Sequence, residues 1–124
     1  MHDILDALRL SPSSVGIQPW KFIIVTNPSL RKKLREQAWD QAQITDASHL
    51  IVLCVNNHVD ESYLEKLIHH MAKERAVPIA SLQGLHEMMN NATRNRSEEE
   101  RTAWFTRQVY IALGILRSPQ FLEK

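Results

Sequence analysis

The chain of 124 residues contains 6 His and 1 Cys. Together with the serines near its start, these are the side chains able to bind metal, move protons or attack an electrophilic centre. His69 and His70 are adjacent and so project to different sides of a helix. His58 lies in the preceding turn, and no Cys partner or His-Glu-x-x-His pattern accompanies them, so they read as a solvated helix face and no metal site is expected. His49, just before an apolar run, is expected to tie down a backbone carbonyl. Ser13 and Ser14 lack the elbow motif that would supply a base and an orienting carboxylate, which argues against a hydrolase. Cys54 sits inside Leu50–Asn56 (LIVLCVN), where a buried thiol behaves as a small hydrophobe. A lone cysteine cannot close an internal disulfide, which fits a reducing compartment. Met88 and Met89 read as core.

The segment Ser11–Phe22 (SPSSVGIQPWKF) differs from these scattered candidates because its parts work together. It combines two serine hydroxyls, a glycine that lets a flat ligand approach the backbone, a glutamine amide, and a proline just before a strand. These make a rigid polar cradle beside a sheet. The prolines at 12 and 19 fix φ and favour an ordered loop over a regular element.

That loop must be positioned by the elements around it. Ile4, Leu5, Leu8 and Leu10 give residues 2–10 the spacing of a short amphipathic helix, stopped by Ser11 and Pro12. Lys21–Thr26 reads as a buried strand. Asn27 then caps a helix with Pro28 at its first position and Leu30, Leu34 and Ala38 along one side. Gln41–Thr45 has no periodicity and reads as a loop. Leu50–Asn56 is apolar almost throughout, as expected of a strand covered on both faces. Asp60 caps a helix with Leu64, Leu67, Ile68 and Met71 on one stripe, ended by Val77-Pro78. Ser81–Asn91 is a further helix with Leu82, Leu85, Met88 and Met89 inward. Ser97 and Glu100 form a capping box for a last helix, apolar around most of its circumference from Trp104 to Leu116. Two strands with about five helices make an α+β chain, and the isolated strand pair needs further strands from another chain or from missing polypeptide.

Composition narrows the function. Lys+Arg 15 against Asp+Glu 14 leaves a net charge of +1, no broad field for nucleic acid or anionic lipid. A hydrophobic fraction of 44% with 23% charged residues is that of a globular domain, and the length allows one. The start, MHDILDALRL, lacks the pattern of a signal peptide, and no run is long enough to span a membrane; a cytoplasmic protein is expected. With 3 Gly in all, no glycine-rich phosphate loop can be written.

The order of residues in Ser11–Phe22 resembles the nitroreductase family of FMN-dependent NAD(P)H oxidoreductases, whose first helix ends in a pattern like SPSSxNxQPWxF. Gly16 stands where many members have Asn. Asp46-Ala47-Ser48-His49-Leu50 is similar to the family's approach to its second strand, and Trp104–Gly114 (WFTRQVYIALG) to the start of its long dimer-interface helix. The resemblance implies a nitroreductase-like α+β fold with a small sheet flanked by helices, a single domain over 1–124, and a homodimer. It also implies FMN carrying reducing equivalents from NAD(P)H to nitroaromatic or quinone-like acceptors. Pro12, Ser13, Ser14 and Gly16 would line one side of the flavin, Gln43 would reach its pyrimidine edge, and Gln108 would lie near it. Gln18 and Trp20 would be structural, and Gly16 and Asp40 depart from the commonest pattern. No catalytic acid, base or nucleophile is implied, because the chemistry belongs to the flavin. The family's phosphate-gripping Arg-x-Ser-x-Arg/Lys segment and its later strands have no counterpart here. A chain truncated at both ends is therefore expected, binding FMN weakly or not at all alone, with Arg31, Lys32 and Lys33 a solvated face. The alternative is a non-catalytic remnant that only dimerises through Trp104–Leu116.

Overall fold

Three of the predicted helices begin at the caps their sequence offers. In the computed structural model, which describes residues 2–118, helix α1 is His2–Arg9, strand β1 Trp20–Val25, α2 Pro28–Gln37, α3 Gln43–Asp46 and β2 Leu50–Val55. They are followed by α4 Glu61–Glu74, α5 Gln83–Arg94 and α6 Glu98–Leu116. Asn27 Oδ1 accepts from the Leu30 amide at 3.0 Å with Pro28 opening α2, and Asp60 Oδ1 accepts from the Tyr63 amide at 2.8 Å. At α6, Ser97 Oγ accepts from the Glu100 amide at 3.2 Å while Glu100 Oε2 accepts from the Ser97 amide at 2.8 Å, completing the capping box. No helix among the described residues is long and apolar enough to cross a membrane.

The chain gathers into two compact units, one formed by Lys21–Cys54 and one by the segments on either side of it. In the larger unit, the buried side chains of α4 (Leu64, Ile68, Ala72) recur every four residues. They pack with Ile17, Val59, Leu82, Met89, Trp104 and Phe105 into one core. Each fully buried side chain of that size contributes roughly 1.5–3 kcal/mol. Leu67 and Met71, expected on the same stripe, are half-buried against it. On α5 the inward row is Leu85, Met89 and Thr93, four residues apart. Met88 is a step off that row and 56% exposed, so it is not core. α1 packs on α6 through buried Ala7 and Leu8, whereas Leu10 falls beyond the helix end and faces solvent. α6 buries Trp104, Phe105, Gln108, Val109 and Ala112 and leaves Tyr110 and Ile111 exposed.

In the smaller unit, β1 and β2 pair as a sheet of two strands among the described residues. The Asn56 amide donates to the Pro19 carbonyl at 2.9 Å, which sets the end of β2 beside the start of β1, so the strands run in opposite directions. β1 alternates, with Lys21 and Ile23 exposed and Phe22, Ile24 and Val25 partly or fully buried. β2 was expected to be covered on both faces. None of its residues is fully buried and Val52 is exposed, as follows when a strand has only one neighbour. Cys54 is accordingly half-buried rather than buried.

Two further expectations fail here for one reason. Arg31 is not on a solvated face: it is 7% exposed, while Leu30 on the same helix is open to solvent. Its guanidinium donates to the carbonyls of Ile44 at 2.7 Å, Ser48 at 3.3 Å and Ala47. Arg35 adds a bond to Thr45 Oγ1 at 3.0 Å and an ion pair with Asp40 at 2.6 Å. These contacts brace residues 43–46, which form α3 where the lack of periodicity predicts a loop.

Candidate functional site

The Pro/Ser loop is held in an unusual backbone conformation. Val15, Gly16 and Gln18 have φ of 50°, 70° and 47°, in the left-handed region that glycine tolerates and a β-branched residue avoids. Ser14–Gly16 forms a single 3-10 turn, with the Gly16 amide donating to the Ser13 carbonyl at 2.9 Å and the Ile17 amide to the Ser14 carbonyl at 3.1 Å. Ile17 and Pro19 are fully buried and anchor the loop's far end in the core. At its near end, buried Ser11 Oγ donates to the Ala7 carbonyl at 2.7 Å and closes α1.

Three side chains clamp this backbone. Ser13 Oγ accepts from the Gln18 amide at 2.9 Å. Gln108, buried on α6, accepts from the Ser14 amide through Oε1 at 2.8 Å and donates from Nε2 to the Trp104 carbonyl at 3.3 Å. Tyr63 of α4 donates its hydroxyl to the Gln18 carbonyl at 2.8 Å, with the Ile17 carbonyl 3.1 Å away. Burial pushes the Tyr63 phenol above the ordinary tyrosine range.

Of the residues singled out from sequence, Pro12, Ser13, Ser14 and Gly16 lie on this loop, and Gln108 is hydrogen-bonded to it. Pro12 and Ser14 are exposed, Ser13 and Gly16 half-buried. Gln43 belongs to the other unit, where it opens α3 and is exposed. In that same unit, Trp39 leaves 93% of its surface open at φ 52°. A strand-and-helix reading offers no reason to single out Trp39; its signal is exposure, which sequence does not report. His69 and His70 are exposed on α4, and His49 sits against the Ser48 hydroxyl at 3.1 Å rather than a backbone carbonyl.

The class that the fold defines is an α+β chain with a left-handed, hydrogen-bonded loop of neutral residues between its first helix and first strand. A sequence model of the nitroreductase family matches residues 1–116, and the chain belongs to that family. It is 37% identical over 118 residues to a Bacillus subtilis protein provisionally named the NAD(P)H nitroreductase YfkO, covering 90% of this chain and 53% of the relative. A Staphylococcus haemolyticus protein under a like provisional name, SH0546, is 32% identical over 117 residues, with 91% of this chain and 54% of that one covered. The chain thus spans about half the length of the curated relatives it matches. Among solved structures, a protein of Exiguobacterium sibiricum described provisionally as a nitroreductase, in complex with FMN, superposes with a TM-score of 0.79 at 19% identity. The match covers 94% of this chain and 55% of that one, and it shows the shared fold.

Proposed function

We propose that the chain forms part of an FMN site in a nitroreductase-type oxidoreductase, and that the Pro12–Gly16 loop is the cradle against which the flavin lies. The single observation that carries this is the clamped loop. Its left-handed turn is held by Ser13, Gln108 and Tyr63, while Ser14 stays exposed. Every group that holds or lines the loop in these contacts is neutral, which suits the flavin's ring and ribityl hydroxyls; a phosphate calls for charge-assisted bonds. Bound FMN would supply the redox chemistry, accepting reducing equivalents from NAD(P)H and passing them to a nitroaromatic or quinone-like acceptor. Ser13 and Gln108 act by fixing the amides at positions 18 and 14.

A homodimer belongs to this reading. Tyr110 is 68% exposed and Ile111 44% on the outer side of α6, and neighbouring apolar side chains on a helix surface favour a partner of the same kind. Purifying the chain and recording its visible absorbance tests the reading directly. A weak, saturable shift of the flavin band or quenching of its fluorescence on titration with FMN is expected; a protein indifferent to excess FMN would leave only a helical dimerisation module.

A further inference from the structure

Ser13 and Gln108 secure the amide side of the loop, but neither reaches its carbonyls. Among side chains that task falls to Tyr63, beside the Trp20 amide, which donates to the Gln18 carbonyl at 2.8 Å. The tyrosine's place is set by the first turn of α4, where its own amide donates to the Asp60 cap, and its ring packs against the core of the larger unit. The hydroxyl has one proton, which goes to Gln18, the nearer of two carbonyls. Gln18 is thereby held at both ends of its peptide, at N–H by Ser13 and at C=O by Tyr63, in a left-handed conformation a non-glycine residue does not keep unaided.

We propose that Tyr63 is a positioning residue: its hydroxyl, delivered by α4, latches the Ile17–Gln18 turn and so keeps Ser13–Gly16 in the shape that presents them to a ligand. The latch is a property of the loop itself. That the ligand is FMN rests on the function proposed above.

The test reads the loop without flavin, by amide hydrogen exchange in the full chain. Tyr63→Phe keeps the ring and removes one neutral hydrogen bond, so exchange at the Gly16 and Gln18 amides should rise roughly three- to tenfold. Val109 and Ala112 on α6 should keep their rates. Unchanged loop amides, or a parallel rise everywhere, would overturn the latch. A second measurement needs no variant. Through an alkaline titration, the carbonyl carbon resonances of Ile17 and Gln18 should move together with the ring resonances of Tyr63; carbonyl resonances that stay put while the Tyr63 ring ionises would equally overturn it. The flavin reading fails separately, if the Ser14 and Gly16 resonances of the unmodified chain ignore millimolar FMN while the latch is intact.

Discussion

Gly16 shows how a single backbone angle limits what the loop accepts. At φ +70° a Cβ would lie 3.5 Å from Met71 Cε and 3.9 Å from Met89 Cε, which is ordinary contact, so space is available and conformation is the constraint. Gly16→Ala should destabilise the larger unit by about 1 kcal/mol, and Gly16→Asn by less, because asparagine visits the left-handed region more readily. Urea unfolding of both variants checks the order. Tyr63 supplies a pH dependence of known sign. Its folded pKa is raised above the unfolded value near 10. The phenol therefore contributes in full below about pH 10, and that contribution is lost as pH climbs through the folded pKa. Stability measured by denaturant across alkaline pH should fall more steeply in the unmodified chain than in Tyr63→Phe, and identical slopes would assign the ionisation to another group.

The elements were legible wherever a cap or a periodic stripe announced them. Asn27, Asp60 and the Ser97/Glu100 box mark three helix starts, and the apolar runs mark both strands within a residue of their ends. Helix α3 was not legible because Gln43–Asp46 is too short to show a periodic stripe, and the Arg31 guanidinium that braces it lies 13 and 16 positions before the carbonyls it meets at Ile44 and Ala47. The same limit applies at the loop. Its serines, glycine and prolines identify it, but the latch comes from Tyr63, whose partners lie 45 and 46 positions away, and a lone tyrosine in an amphipathic helix looks like any other. Arg31→Met tests this at the scale where it matters. Charged donors to carbonyls contribute about 1.5–3 kcal/mol each, so α3 should unwind and exchange at the Asp46 and Ala47 amides should approach that of free peptide, whereas α6 stays protected. Retained protection at Asp46 and Ala47 would mean that α3 holds itself.

In the larger unit, both the loop and the outer side of α6 face solvent. If Tyr110 and Ile111 meet a second copy, light scattering at tens of micromolar should report a dimer, and Ile111→Asp should return a monomer without loss of helix content. A monomeric unmodified chain at that concentration would remove the homodimer from the reading. The flavin proposal is tested most directly by titrating FMN into isotopically labelled chain and mapping the amide resonances that move. Saturable shifts concentrated at Ser13, Ser14 and Gly16, with riboflavin nearly as effective because the loop's contacts are neutral, are the predicted result. No shift at the loop under millimolar FMN, or shifts confined to other surfaces, would contradict it.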